Sequence, residues 1–405
     1  MKNNNFSINN NIYSNFYKSK FINRLSRKFN KVYLEIQKDL SKSGKTLNVL
    51  SSEYNFNFKI KDLDKFKKFK IIAIIGMGGS SLGTRAIYNF FESKIKKKIY
   101  FFDNLEEKKI KRFKKKISSK ILFIVISKSG NTVETLSNTF FLDIIKRNAK
   151  NVILISEKKN NNFLYSLSKK LNLSYFEHRD YIGGRYSVLS EAGIIPAYLM
   201  GIKIFKLRSK LLECLKNKNK SFLKKNTVII AQLMSSGKFN NFILLNYFPE
   251  LEKFLYWCQQ LIAESLGKKN KGFLPTVSNA PRDHHSLLQL YLDGPKDKFF
   301  NIFSFEKKTK DKIKVHIRAN KKNFLNNKSL NTIKKAQKNA LVKSLKKKQI
   351  PFREFKIKKN DEETLGNLFS YFLIETVIVG KLLNINPFDQ PAVEQVKVYT
   401  KKLLS

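Results

Sequence analysis

The sequence predicts an α/β protein built from two doubly wound, parallel-sheet domains. Three observations carry that expectation: the length, a strand–helix rhythm that begins near residue 70, and the restart of that rhythm in the second half of the chain. At 405 residues the chain exceeds what one hydrophobic core ordinarily serves, and an apolar fraction of 42% supplies material for a large interior.

Short, almost wholly apolar runs at 71–75, 99–102, 121–126 and 151–155 have the composition of parallel strands covered on both faces. The stretches 81–92 and 132–146 between them carry helical spacing. After a helical stretch at 207–216, strand-like runs follow at 227–233, 299–305, 312–317 and 352–357, separated by long helical patterns at 250–265, 330–348 and 362–383. The expected division is a helical N-terminal extension over 1–65, including a helical piece at 29–40, a first α/β domain over 66–205, a second over 206–385, and a C-terminal segment and helix over 386–405. No Pro/Gly/Ser linker separates the halves, so the boundary near 201–221 is soft.

A net charge of +49 raises the question of a polyanionic partner. Only 11 of the 80 basic residues are arginine, however, and the lysines spread through every segment beside abundant Asn, Ile and Phe, the pattern an AT-rich genome imposes on exposed positions. Runs such as Lys346-Lys347-Lys348 read as solvated helix ends, and no specific nucleic-acid binding is expected. No apolar stretch approaches the roughly 18 to 20 residues that cross a bilayer. The longest lie near 194–201 and 371–380, so no membrane partner is expected. The first 30 residues are polar and Asn-rich and lack the apolar core of a secretory signal. Two cysteines, Cys214 and Cys258, stand apart from any ligand cluster, which fits a reducing cytoplasm without disulfides or zinc.

Six islands carry chemistry. Gly76-Met77-Gly78-Gly79-Ser80-Ser81-Leu82-Gly83 follows a strand and opens a helix, so its N–H groups can receive an anion. A dinucleotide fingerprint would need glycine at Ser81, yet Asp103 ends the next strand at the spacing of a ribose-binding carboxylate, which keeps an NAD-type enzyme as an alternative. Ser127-Lys128-Ser129-Gly130-Asn131-Thr132 gathers hydroxyls, a lysine and a glycine at another strand–helix turn, a mixture that suits a phosphate and also an ordinary capped turn. In Gly183-Gly184-Arg185-Tyr186-Ser187, two glycines admit the backbone to close quarters while Arg185 offers a guanidinium that can steady an oxyanion; a surface ion pair is the plainer use.

In the helical pattern at 250–265, Leu251, Phe254, Leu255, Cys258, Leu261 and Ile262 form an apolar stripe. Glu264 projects opposite it, one turn from the terminator Gly267, where the helix dipole disfavours a negative charge, a setting that suits a general base as well as a solvated helix end. Arg282-Asp283-His284-His285-Ser286 precedes a helical run at 287–292, with Asp283 expected as N-cap and the imidazoles in a first turn that biases them toward neutrality. Adjacent histidines can bind metal, but His178 and His316 lack helpful spacing and no metal site is expected. The last island is Phe388-Asp389-Gln390-Pro391-Ala392-Val393-Glu394-Gln395-Val396-Lys397. Pro387 and Pro391 suit a turn and a helix start, and by itself Lys397 reads as a solvated lysine near a chain end.

In chain order these islands, from Gly76 to Lys397, resemble the set found in glucose-6-phosphate isomerases, and the length resembles the compact bacterial form of that family. The resemblance implies two sugar isomerase (SIS) domains, each an αβα sandwich, closed by the C-terminal segment. It implies reversible exchange of glucose 6-phosphate and fructose 6-phosphate in glycolysis and gluconeogenesis. Glu264 would move a proton between C2 and C1 through a cis-enediol, Arg185 would stabilise that intermediate, and His285 and Lys397 would assist ring opening. Ser80, Ser127, Lys128, Ser129, Thr132 and Gln390, with Gly78 and Gly79, would hold the sugar phosphate. No metal or organic cofactor is implied, and the family works as cytoplasmic homodimers in which the histidine comes from the partner subunit.

Three positions depart from the family pattern: Asn131 where many members have threonine, His284 where glutamine is frequent, and Val396 in place of a glycine. Two alternatives remain beside the resemblance. One is a related isomerase acting also on mannose 6-phosphate. The other is a sugar-phosphate-sensing regulator with an SIS domain beside a DNA-binding head, although residues 1–65 show no recognition unit.

Overall fold

The structure, a computed structural model, describes residues 5–16, 18–306, 311–315 and 324–404. Strand β1 (Phe6–Asn11) and helix α1 (Ser19–Ser41) lead into a first sheet, where β2 (Ile71–Ile75), β3 (Lys98–Phe102), β4 (Ile121–Ile126), β5 (Val152–Ser156) and β6 (Ser174–Glu177) alternate with α2 (Leu82–Phe91), α3 (Glu107–Lys114), α4 (Val133–Phe141) and α5 (Phe163–Lys170). The strands stand in the order β3-β2-β4-β5-β6, all parallel. Their continuous apolar runs follow from burial on both faces. Ile72, Ile74 and Ile124 enter one core, while Ala73, Ile75 and Phe123 enter another on the opposite face.

Helices α6 (Glu191–Leu199), α7 (Ile204–Leu207) and α8 (Asn217–Ser235) connect to the second sheet. There β7 (Asn241–Asn246), α9 (Glu252–Leu266), β8 (Leu274–Asn279), α10 (Leu288–Asp293), β9 (Lys298–Phe305), α11 (Leu330–Lys347) and β10 (Phe352–Ile357) repeat the winding, before α12 (Glu362–Leu382) and α13 (Pro391–Leu404). The order is β1-β10-β9-β7-β8, and β1 joins antiparallel to β10, Phe6 opposite Ile357. The N-terminal extension is therefore not purely helical, and its first strand belongs to the second sheet.

Other expectations also need correction. The run at 227–233 is not a strand but the second half of α8. Every residue of it is buried, Thr227 and Gln232 included, so no exposed polar face reveals the helical period, and a run buried on all sides reads the same either way. Of the strand expected at 312–317, residues 312–315 are not in a strand and the remainder lies outside the described residues. The soft boundary at 201–221 is packed, with Ile204, Leu207, Leu211 and Cys214 in a core that runs without a break between both sheets. Helix α12, 21 residues long, is apolar enough to cross a membrane, contrary to the expectation that no stretch approaches that length. It is 94% buried over its apolar window, packed by α1, α8 and α9, which is the setting of a core helix.

Candidate active site

The first sheet reverses its winding between β2 and β4, and ligands of open α/β sheets bind beyond the carboxyl ends of strands at such a point. Both hydroxyl-bearing turns leave from there. After β2, Gly78 takes φ +50° and leads into a tight turn, Gly78–Ser80. After β4, the Ser127 and Thr132 hydroxyls lie 3.0 Å apart and the Ser129 hydroxyl is 3.4 Å from Thr132, ahead of the N-terminus of α4. This is a cluster of short donors at a positive helix end. The Lys128 ammonium is turned to the Asp180 carbonyl at 2.7 Å and the Glu157 carboxylate at 3.4 Å, so the structure does not group it with those hydroxyls. Asn131 uses its amide to tie the turn to the start of α5, donating to the Asn161 carbonyl and accepting from the Phe163 N–H.

Gly79 is where the two halves of the site meet. A Cβ there would lie 2.3 Å from the Gly184 carbonyl carbon, so the turn after β2 and the turn carrying Arg185 press backbone to backbone. Asp103 is paired with Arg85 at 2.9 Å rather than left for a ribose.

Arg185, 3% exposed, is not a surface ion-pair member. Its Nε–H donates to Ser265 Oγ at 2.8 Å, Nη1 to Glu264 Oε2 at 3.2 Å and Gln390 Oε1 at 3.1 Å, and Nη2 to the Pro387 and Asp389 carbonyls at 2.6 and 3.0 Å. A guanidinium has five N–H groups and each has an acceptor, which fixes its plane. Glu264 projects from the last turn of α9 with its second oxygen accepting from Gln260 Nε2 at 2.9 Å. The Tyr186 hydroxyl, which burial pushes above its usual pKa, donates to the Pro387 carbonyl at 2.8 Å, and its ring meets Phe388 at 5.4 Å. Gln260, Ser265 and Tyr186 were not singled out by the sequence. The signal that could have found them was polar groups adjoining named residues: one turn before Glu264, and immediately after Glu264 and Arg185.

Two expected residues lie elsewhere. His285 is exposed in the turn Arg282–His285 after β8, and among the described residues it makes no hydrogen bond to Glu264 or Arg185. Asp283 does not cap α10. Its carboxylate accepts from the Asn279 N–H at 2.7 Å and the Ser278 hydroxyl at 3.1 Å, because the chain folds back on β8 before the helix begins at Leu288. His284 shares a 2.7 Å hydrogen bond with the Tyr247 hydroxyl, and burial, then the neighbouring His285, hold its imidazole below the usual pKa. The end of β8 adjoins the start of α9, where Asn279 Nδ2 donates to Glu252 Oε1 at 3.0 Å. Glu264 is 12 residues along that helix, about 18 Å at 1.5 Å per residue. Lys397 lies on the exposed helix α13, its side chain 53% exposed and paired with Glu394 at 2.6 Å.

A family model described as Phosphoglucose isomerase matches residues 62–405. The chain is 35% identical over 380 residues to a probable glucose-6-phosphate isomerase of Methanococcus maripaludis, covering 87% of this chain and 84% of that one. It is 30% identical over 405 residues to a glucose-6-phosphate isomerase of Mycoplasmopsis pulmonis, covering 95% and 94%. Among solved structures, a hypothetical protein of Thermus thermophilus superposes with a TM-score of 0.81 at 22% identity, over 98% of this chain and 100% of that one. A glucose-6-phosphate isomerase of Chlamydia trachomatis superposes with a TM-score of 0.69 at 18% identity, over 85% and 71%; these two likenesses concern the fold.

Proposed function

This chain belongs to the phosphoglucose isomerase family and interconverts glucose 6-phosphate and fructose 6-phosphate, and we propose that Glu264 is the base that carries the proton between C2 and C1. The observation that carries this assignment is the convergence of Glu264 and Gln390 on the Arg185 guanidinium. Deprotonation at C2 of the open-chain aldose moves negative charge onto O1 and gives a cis-enediolate; as the O2 hydroxyl proton passes to O1 through the cis-enediol, the carboxyl returns its proton to C1 and O2 becomes the ketose carbonyl. Each Glu264 oxygen accepts one hydrogen bond, so lone pairs remain for the proton. The Arg185 guanidinium is held from behind by Ser265 and the Pro387 and Asp389 carbonyls, and its two Nη1 N–H groups, which donate to Glu264 and Gln390 here, would turn to the oxyanion when substrate enters. The hydroxyls of Ser127, Ser129 and Thr132, with Ser80 and the Gly78-Gly79 backbone, form the phosphate end; Lys128 contributes only if it leaves Asp180.

Ring opening needs its own acid and base, and we assign it to His285 and Lys397. Within one chain about 18 Å of helix separates the His285 end of α9 from Glu264, which supports a homodimer in which the partner subunit's His285 completes the site. A cytoplasmic location fits two buried cysteines that remain unpaired. The regulator reading has no support in the N-terminal residues, since β1 and α1 are built into the second sheet and the helical core.

Co-refolding Glu264→Gln with His285→Ala tests both assignments. Half of randomly formed dimers are mixed and each mixed dimer holds one intact composite site, so about a quarter of wild-type activity should return from two inactive parents. No recovery would mean that the two residues serve the same site from one chain, and an active parent would mean that its residue does not act.

A further inference from the structure

The composition makes any one lysine of this chain look like a solvated surface charge, and Lys268 is not one. Its side chain is 13% exposed, and its ammonium donates to three oxygens: the Asn386 carbonyl at 2.5 Å, the Asp389 carbonyl at 2.6 Å and Asp389 Oδ1 at 2.6 Å. Three N–H groups meet three acceptors, leaving no donor free. Asp389 Oδ2 in turn accepts from Asn386 Nδ2 at 2.9 Å, and Asn386 Oδ1 accepts from the Phe388 N–H at 3.1 Å, so residues 386–389 close into a ring of hydrogen bonds around this ammonium.

That turn is the far wall of the site. The Asp389 carbonyl accepts from Lys268 and also from Arg185 Nη2 at 3.0 Å, so one oxygen is shared by the cation inside the site and the cation at its rim. The next residue is Gln390, which meets Arg185, and Pro391 then begins α13 with Lys397 in its second turn. On the other side, Lys268 stands four residues past Glu264, just beyond the end of α9. Neighbouring lysines touch the preceding stretch more loosely, Lys269 at 3.4 Å from the Asn384 carbonyl and Lys271 at 3.4 Å from the Leu383 carbonyl, where the end of α12 attracts cations.

We propose that Lys268 is a positioning residue for the isomerase, clamping the 386–389 turn to the end of the helix that carries Glu264 so that Gln390 and α13 keep their register with the base. The inference rests on the assignment of ring opening to Lys397. Loss of the clamp leaves Arg185 held by Ser265 and Glu264 by Gln260, both outside the turn, so proton transfer survives while the step that needs the C-terminal segment suffers. Misplacement of a catalytic group by a fraction of its reach is enough for a large kinetic loss.

The test compares Lys268→Met, Lys268→Arg and Asp389→Asn in the full-length protein. Lys268→Met should lower kcat on the cyclic sugar about tenfold or more, while C2 proton exchange on an open-chain ketose phosphate that cannot cyclise stays within about threefold, with Lys268→Arg restoring most of the loss. Amide hydrogen exchange across 386–390 should speed up in Lys268→Met. Equal losses on the two substrates, or a wild-type rate on both, would overturn the proposal. Should Lys268→Met fail to fold, Asp389→Asn, which keeps both backbone acceptors, must show the same split in weaker form, and its absence counts against the clamp. A wild-type protein that isomerises neither sugar would defeat the reaction assignment, whereas unchanged amide exchange in Lys268→Met defeats the clamp itself.

Discussion

Two arginine–glutamate pairs in this protein use the same groups for different ends. In the core of the second domain Arg353, fully buried, grips Glu375 through both ends of its fork, Nη1 to Oε1 at 2.5 Å and Nη2 to Oε2 at 3.0 Å. Tyr371 adds a 2.7 Å bond to the same carboxylate, and Asn301 accepts from Nε at 2.7 Å. In the cleft, Arg185 touches Glu264 with one nitrogen only, and the carboxylate is 28% exposed against 5% for Glu375. Both arginines are anchored through all three nitrogens; the glutamates differ. A carboxylate enclosed on every side is a fixed structural charge, while one held by a single bond on each oxygen at the edge of a cleft keeps lone pairs that a substrate proton can reach. The arginine sets the geometry in each case, and the openness of the glutamate decides whether chemistry can follow.

The contrast is broken hardest at the enclosed pair. Arg353→Met strands Glu375 in the core and should cost about 3 to 5 kcal/mol in chemical denaturation, with the kcat of the remaining folded enzyme near wild type. A loss below about 1 kcal/mol would mean that the carboxylate finds water or a proton more readily than its burial allows.

A second contrast sets buried His178 against exposed His285. Burial holds His178 neutral, its pKa lowered to about 4 from 6.5, with its Nδ1–H directed at the Arg179 carbonyl. The unfolded chain binds a proton that the folded one refuses between those values. The stabilising difference is therefore complete above pH 6.5 and disappears as pH falls toward 4, up to about 3 kcal/mol. His178→Gln should flatten the stability profile across that window, whereas His285→Ala, at an exposed turn, should leave thermal stability at neutral pH close to wild type.

At the open pair, Glu264→Gln should lower kcat by at least about a hundredfold, abolish exchange of the C2 hydrogen with solvent, and leave thermal stability close to wild type. A fall in stability comparable to that of Arg353→Met would erase the distinction between the two pairs. The smallest effect concerns the lysines outside both. If the +49 charge follows genome composition rather than selection for a polyanion, kcat/KM responds weakly to salt, and tight duplex DNA binding is absent at about 0.15 M ionic strength. Sub-micromolar, sequence-dependent DNA binding at that salt would show that some of those lysines act together.

What the sequence alone settled were features with a short spatial range. Both-sided burial wrote itself into β2, β4 and β5 as unbroken apolar runs, α9 showed its stripe and the off-stripe Glu264, and the glycine turns were legible because each turn is local chain. Six contiguous islands in order were enough to bring a family likeness, since each is a short stretch of local chain. The all-round burial of α8 hid its period, and β1 was invisible as a member of a sheet whose other strands begin more than two hundred residues later. No spacing rule tells which of 80 basic side chains will meet carbonyls and which will meet water. That Arg185 closes on Gln390 across 205 residues, that Lys268 holds Asp389 across 121, and that His285 follows β8 near the opposite end of α9 from Glu264 were decided by where the backbone returns. Hydrogen bonds and burial depend on distance in space, and only the packed fold fixes that distance.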